Sequence, residues 1–123
     1  FTIAICKDEL LAQAKQQLTI IDADQTKNLC EQGATLLDVR EAGEFNQGHL
    51  PHANHVSRVL LEFMVGNHPA LQNNKAAMVV YCKNGGRSAL AADLLQRMGF
   101  TSIYMLDGGY DNWCDHGHET QQP

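Results

Sequence analysis

A reactive thiol is predicted at Cys82 of the 123-residue chain, in the sequence VVYCKNGGRS. Cys82 ends an apolar run, and Gly85 and Gly86 allow the next residues to curl so that their N–H groups point inward and bind an anion. The positive end of a helix that begins just after this loop adds to the same field. Because Lys83 and Arg87 act in the same direction, we expect the thiolate of Cys82 to be favoured, unlike that of a buried inert cysteine.

Helical and strand patterns alternate along the chain and must position this thiol. Helices are predicted at 7–18, 22–33, 57–65 and 88–99, with a last one within 107–117. Strands are predicted at 19–21, 35–39, 77–82 and 101–106. The segment 40–56 reads as turn-rich and 66–76 as a loop. Asp22 or Asp24 should cap the second helix, Gly33 should end it, and Ser57 should cap the third.

The predicted strands are continuously apolar rather than alternating. That pattern is typical of a parallel sheet covered by helices on both faces. We therefore predict the α/β class, as one three-layer α/β/α domain around a central, mostly parallel sheet. Ligands of such sheets bind beyond the carboxyl ends of the strands, which is where Cys82 follows its strand.

Composition narrows the classes of function. The chain has 123 residues, 44% hydrophobic and 19% charged, which suits one globular domain. Its formal net charge of −5, with no basic block, argues against a nucleic-acid partner. No apolar run approaches the roughly 18 residues of a membrane span.

Metal and cofactor sites are not expected. The four cysteines (Cys6, Cys30, Cys82 and Cys114) show no C-x-x-C spacing, so a zinc site and a disulfide-dense scaffold are both disfavoured. The pairs His52 with His55 and His116 with His118 could bind a metal weakly, but we interpret them as loop and tail residues.

The expected compartment is cytoplasmic, with reduced thiols. The sequence begins at Phe1, without an initiator methionine. Its first residues, FTIAIC, could be the end of a removed signal or a frayed terminus, and both readings stay open.

Three segments in order resemble the rhodanese-like sulfurtransferases. The loop CKNGGRS is similar to the active-site loop of that family. The stretch LLDVREAGEFNQGHLPHANHV resembles its D-V-R-E…E-F…G-H-I-P-G-A-x-N segment, and YMLDGGYDNW its L-x-G-G…W segment. The resemblance covers about residues 19–116. It implies an N-terminal helical extension at 1–18, a rhodanese-like domain at 19–117 and a polar tail at 118–123.

The resemblance also implies roles for individual residues. Cys82 matches the catalytic cysteine that carries a sulfane sulfur as a persulfide. The rest of the loop, whose amides hold the persulfide and the substrate anion, corresponds to Lys83, Asn84, Gly85, Gly86 and Arg87. The residues that support this site correspond to Asp38, Arg40, Glu44 and His49. His52 departs from the pattern, because it stands where the family often has glycine, so the turn after Pro51 is an uncertain match.

Plainer roles are expected for several of these side chains. Asp38 and Arg40 are interpreted as a structural ion pair rather than an acid–base pair. Glu44 and His49 are expected to cap a helix and bond a turn. Cys114 is expected to pack, unless it proves exposed and close enough to Cys82 to resolve a persulfide.

The function implied by the resemblance is transfer of a sulfane sulfur. The donor would be thiosulfate or a similar small anion, and the acceptor cyanide, a cellular thiol or a protein. A phosphatase or arsenate reductase with the same fold is the first alternative, but those loops are one residue longer than the four residues between Cys82 and Arg87. The second alternative is a sulfur carrier or interaction module for a protein partner. The presence of the cysteine favours catalysis over a module that only binds.

Overall fold

The computed structural model describes residues 4–123. Its helices are α1 (Lys7–Gln16), α2 (Ala23–Glu31), α3 (Ala42–Gln47), α4 (Leu61–Met64), α5 (Gly86–Arg97) and α6 (Gly109–Asp115). Its strands are β1 (Thr19–Ile21), β2 (Thr35–Asp38), β3 (Asn54–His55), β4 (Met78–Tyr81) and β5 (Ile103–Leu106). The first three residues of the expected N-terminal extension lie outside the described range.

The strands form one parallel sheet in the order β1-β5-β4-β2-β3. Alternate side chains of the buried strand β4 pack into two hydrophobic cores, one on each face of the sheet. Met78 and Val80 face α4 and α5, whereas Val79 and Tyr81 face the side of α2 and α6. The predicted α/β class with a central parallel sheet and helices on both faces is confirmed.

Two segments differ from their prediction. The stretch 40–56, predicted as turns, contains the short helix α3 and the edge strand β3. The predicted helix 57–65 is a mixture of one α turn, α4, with 3₁₀ turns at Arg58–Leu60 and Val65–Asn67. Ser57 makes no side-chain cap, and the first N–H of this segment, that of Arg58, donates to Val39 O.

The start of α2 matches the sequence prediction, whereas that of α5 differs from it. Asp22 caps α2, accepting from the Gln25 N–H at 2.8 Å, while the Gln25 side chain accepts from the Asp22 N–H. Helix α5 begins at Gly86 rather than near Ser88, so the last two residues of the predicted loop belong to its first turn. This earlier start brings the positive helix end closer to Cys82.

The polar tail lies against the domain. Gln121 forms an antiparallel bridge with His49, with both N–H···O distances at 2.8 Å. The Trp113 indole donates to Glu119 O at 2.7 Å, and the Gln122 amide donates to Gln47 O. These bonds join the end of α3 to α6 across the surface.

No described helix is both long and apolar enough to cross a membrane.

His52 adopts a left-handed backbone conformation, with φ of 64°. Its N–H donates to the Gln121 side chain at 2.8 Å. The turn after Pro51 therefore keeps the kind of conformation that glycine favours, and the histidine carries the steric penalty of its Cβ.

Replacing His52 by glycine should give a more stable protein than replacing it by alanine, by about 0.5–1 kcal/mol, because only alanine keeps the left-handed penalty. Both changes remove the same imidazole. The measurement is urea unfolding of the two variants. His116, which is exposed and has φ of −90°, is the matched control, and there alanine should be the more stable replacement because glycine loses more backbone freedom on folding. The same order at both positions would contradict the argument.

Candidate functional site

The loop after β4 is held from outside by α6. The Cys82 carbonyl accepts the Tyr110 N–H at 2.8 Å, and the Lys83 carbonyl accepts the Asp111 N–H at 3.0 Å. Only glycine fits at Gly109, whose φ is 61° and whose added Cβ would lie 2.5 Å from the Cys82 oxygen. Because these carbonyls turn outward to α6, the amides that follow are free to turn inward.

The Cys82 sulfur sits inside this loop and is fully buried. Sγ accepts the Gly85 N–H at 3.1 Å and lies 3.4 Å from the Ser88 hydroxyl oxygen. Gly85, with φ of 113°, is the left-handed N-cap of α5, and this conformation directs its amide at the sulfur. The sulfur thus faces a backbone donor, a hydroxyl and the first turn of a twelve-residue helix, an arrangement that favours negative charge on it.

Arg87 points to α3 rather than into the loop. Its guanidinium donates to both carboxylate oxygens of Glu44, at 2.7 and 3.1 Å. Hydrogen bonding to Arg87 lowers the pKa of Glu44 from 4.5 to about 2, and the same bond raises the pKa of Arg87. Glu44 also accepts the Glu41 N–H, so the capping role expected for it is present together with an ion pair that was not expected.

Lys83 and Asn84 are exposed at the surface of the loop. The Lys83 ammonium pairs with Asp111 at 2.8 Å, and hydrogen bonding to that carboxylate raises the pKa of Lys83. The positive charge expected to attract a donor is therefore matched by a neighbouring carboxylate. Gly86 begins α5 beside Leu11, so α1 covers this side of the loop.

Asp38 and Arg40 form a buried ion pair at the end of β2. Their closest N···O distance is 2.7 Å, and Arg40 also donates to Gly48 O at 2.7 Å. Its guanidinium lies 4.2 Å from the centre of the Tyr110 ring, on α6. Burial lowers the pKa of Arg40, but the bond and charge of Asp38 outweigh it and the net shift is upward. The pair connects β2, the turn after α3 and α6.

His49 lies in the turn behind this pair. Its ring stacks on Phe45 with centroids 3.9 Å apart, and Nδ1 donates to Leu50 O at 2.9 Å. These contacts fit the turn-bonding role expected for it. The His49 ring thus stabilises the turn that contains Gly48, whose carbonyl accepts a hydrogen bond from Arg40.

The other cysteines lie elsewhere. Cys6 and Cys114 are exposed, and Cys30 is partly buried against the core on the α2 side, where burial raises the pKa of its thiol. Within residues 4–123, no three His, Cys, Asp or Glu side chains come together in a way that could hold a metal ion.

Comparison with known proteins gives the same family as the resemblance of the loop sequence. The family model described as Rhodanese-like domain matches residues 9–116. The chain belongs to the rhodanese-like family. A curated relative, thiosulfate sulfurtransferase GlpE of Pseudomonas savastanoi, is 34% identical over 93 residues, which are 76% of this chain and 84% of the relative.

Two solved structures resemble this rhodanese-like domain over nearly its full length. A protein of unknown function from Rhodopseudomonas palustris, described as a possible tyrosine phosphatase, has a TM-score of 0.87 at 27% identity and covers 98% of both chains. The polysulfide-sulfur transferase homodimer of Wolinella succinogenes has a TM-score of 0.79 at 28% identity, covering 94% of this chain and 86% of that one. The names of the Pseudomonas savastanoi and Wolinella succinogenes relatives support a sulfurtransferase.

Three residues of this rhodanese-like site were missed by sequence reasoning. Ser88 was interpreted only as a helix start, although a serine in the first turn beside the loop was a usable signal. Asp111 and Tyr110 carried no local signal, because their role depends on how α6 packs on the loop.

The Arg87–Glu44 pair makes a pH-dependent contribution to stability. Since the folded pKa of Glu44 is about 2, below its value of 4.5 when unperturbed, the contribution is complete at neutral pH and is lost as the pH falls from about 5 towards 2. Glu44→Gln should be about 1–2 kcal/mol less stable than wild type at pH 7, with most of that difference gone by about pH 3.

The measurement is urea unfolding of both proteins between pH 7 and pH 3. Glu62→Gln is the matched control, since Glu62 meets Arg58 only in an exposed pair at 3.5 Å. Its effect should stay below about 0.5 kcal/mol. If the loss of unfolding free energy in Glu44→Gln does not change with pH, the Arg87–Glu44 ion pair does not form in solution.

Proposed function

We propose that this protein is a sulfurtransferase that moves a sulfane sulfur from thiosulfate or a similar donor to a thiophilic acceptor through a persulfide on Cys82. The observation that carries the proposal is the setting of the Cys82 sulfur, which receives the Gly85 N–H and lies beside Ser88 at the start of α5. These groups stabilise negative charge on the thiolate, and afterwards on a persulfide, without reorganising.

The proposed reaction has two steps. The Cys82 thiolate attacks the outer sulfur of thiosulfate, a new S–S bond forms, and sulfite leaves with the electron pair of the old bond. An acceptor such as cyanide or a thiolate then attacks the outer sulfur of the persulfide. The Cys82 thiolate leaves, and the loop returns to its starting state. Asn84 and Gly86 provide the remaining loop amides for the bound anion.

Charge steering by the loop is weaker in this proposal than the sequence suggested. Lys83 and Arg87 are each paired with a carboxylate, so the loop has little net positive charge. Binding of an anionic donor therefore depends mainly on the backbone amides and the first turn of α5. Because Cys82 is fully buried, the donor reaches the sulfur only when the groups over the loop shift.

Thiosulfate should add one sulfur atom to the wild-type protein and none to Cys82→Ala, as seen by intact mass. The same variant should lose thiosulfate:cyanide activity by several orders of magnitude, because only a thiol can form the persulfide. Cys114→Ala is the matched control and should keep both the mass increase and the activity. A sulfur adduct on folded Cys82→Ala would place the reactive thiol elsewhere.

A cysteine-dependent phosphatase is the second candidate, favoured by the description of the Rhodopseudomonas palustris protein. Two features of this chain argue against it. Only four residues separate Cys82 from Arg87, and the Arg87 guanidinium is engaged by Glu44 instead of facing the loop. Phosphatase loops of this fold are one residue longer and use their arginine on the oxyanion.

Wild-type protein should transfer sulfur from thiosulfate to cyanide at least about a hundredfold faster, per molar substrate, than it hydrolyses an aryl phosphate, because the loop is too short to surround a phosphoryl group. The measurement is kcat/KM for both reactions on one preparation. Inserting a glycine between Asn84 and Gly85 should narrow that ratio. An aryl phosphate preferred by the wild type would overturn the sulfurtransferase proposal.

A protein sulfur acceptor remains part of the proposal. Apolar side chains that follow β3 are strongly exposed, namely Val59, Leu60, Phe63 and Met64. They lie in the segment that begins at Arg58 and packs on α5. The Arg58 N–H of this segment donates to the carbonyl of Val39, the residue that follows β2. Surface of this kind is typical of protein contacts, which suits a role as a sulfur carrier to a partner.

A further inference from the structure

A cavity of about 260 Å³ lies between α3 and α6, next to the Cys82 loop. Its lining residues are Arg40, Glu44, Gln47, Gly48, Lys83, Tyr110 and Asp111. It is slightly smaller than the roughly 300–1,000 Å³ of pockets that hold drug-sized ligands. Lys83, the residue directly after the reactive cysteine, is part of this lining, so the cavity lies beside the Cys82 loop.

Positive and negative groups share the lining of this cavity. Arg40 and Lys83 provide cations, while Glu44 and Asp111 provide carboxylates. The Arg40 side chain is only 4% exposed, and it gives its Nε and Nη2 nitrogens to Asp38 and Gly48. Its Nη1 nitrogen donates to no other group in residues 4–123, so this buried cation keeps free N–H groups.

The Lys83–Asp111 pair opens at little cost. Its side chains are 56% and 45% exposed, and exposed ion pairs contribute little to stability. A ligand with one carboxylate and one ammonium replaces this ion pair by two others, one between its carboxylate and Lys83 and one between its ammonium and Asp111. A dianion such as thiosulfate would gain the cations but would be repelled by both carboxylates.

We propose that this cavity binds the zwitterionic head group of a small amino-acid thiol, which serves as the sulfur acceptor. The α-carboxylate lies against Arg40 and Lys83, the α-ammonium lies against Asp111 and Glu44, and the thiol extends towards Cys82. This inference rests on the proposed sulfurtransferase function and assigns its acceptor by chemical class.

The transfer balances with one proton taken from water, which converts the persulfide anion left by thiosulfate into Cys82-Sγ–SH. The acceptor thiolate attacks the outer sulfur of this persulfide and forms a new S–S bond. The bond to Sγ breaks, and Cys82 leaves as a thiolate with that electron pair. The proton stays on the transferred sulfur, so the products are the Cys82 thiolate and the hydropersulfide of the acceptor. The head group changes nothing chemically and only positions the attacking sulfur.

The test compares two acceptors after thiosulfate has loaded the enzyme. L-cysteine carries both charges of the head group, and 3-mercaptopropionate lacks the ammonium. In Asp111→Asn the ratio of the KM for L-cysteine to the KM for 3-mercaptopropionate should rise about tenfold over wild type, because the ammonium loses a charged partner. Asp93→Asn, which removes the carboxylate of an Arg97 pair on α5, should leave the ratio unchanged.

A second measurement needs no turnover. S-methyl-L-cysteine keeps the head group without a free thiol, and its calorimetric binding to wild type should weaken about tenfold in Asp111→Asn. An unchanged KM ratio, or no binding of S-methyl-L-cysteine, overturns the inference even when cyanide accepts sulfur normally. Failure of the wild type to move sulfur to cyanide or to either thiol is a different result, and it overturns the proposed function together with the acceptor.

Discussion

The orientation of two peptide groups decides whether Cys82 can be a reactive thiol. The carbonyls of Cys82 and Lys83 bind the first amides of α6, at 2.8 and 3.0 Å. A buried peptide group that turned the other way would direct its oxygen at the sulfur and would leave the amides of α6 without partners, at about 1–3 kcal/mol each. The anion-binding side of the loop is thus set by a helix that follows a different strand, and the contact is close enough to require Gly109.

Ion pairs extend this arrangement around the loop. Arg40 binds Asp38 and Gly48 beneath Tyr110, and breaking such a buried pair by removing one partner costs about 3–5 kcal/mol. Arg87 connects the start of α5 to α3 through Glu44, and Lys83 pairs with Asp111 of α6 at the surface of the loop. Each cation near the sulfur is also a structural connection, so the charges that were expected to serve the substrate serve the geometry as well.

Local patterns were sufficient to predict β1, β2, β4 and β5 and the position of Cys82, but not the two-residue edge strand β3. A continuous apolar run such as MVVY specifies a buried strand by itself, and the glycines after it specify a turn. The partner of Arg87 could not be predicted in this way, because Glu44 is 43 residues away and meets it only after the sheet has formed. The short helix α3 was missed because its six residues bury no side chain completely and so show no apolar period. His52 illustrates the same limit, since its left-handed backbone is not its own preference and its N–H bonds to Gln121, 69 residues away.

The path of the C-terminal tail matters for anything attached to it. Gln121 pairs with His49, and the Gln122 side chain donates to the carbonyl of Gln47. Gln47 is one of the residues that line the cavity beside the loop. A polypeptide fused after Pro123 therefore leaves the domain close to that cavity. A short flexible tether holds its cargo at an effective concentration of the order of millimolar, so a fused protein would meet the loop as an intramolecular neighbour, at a concentration independent of dilution.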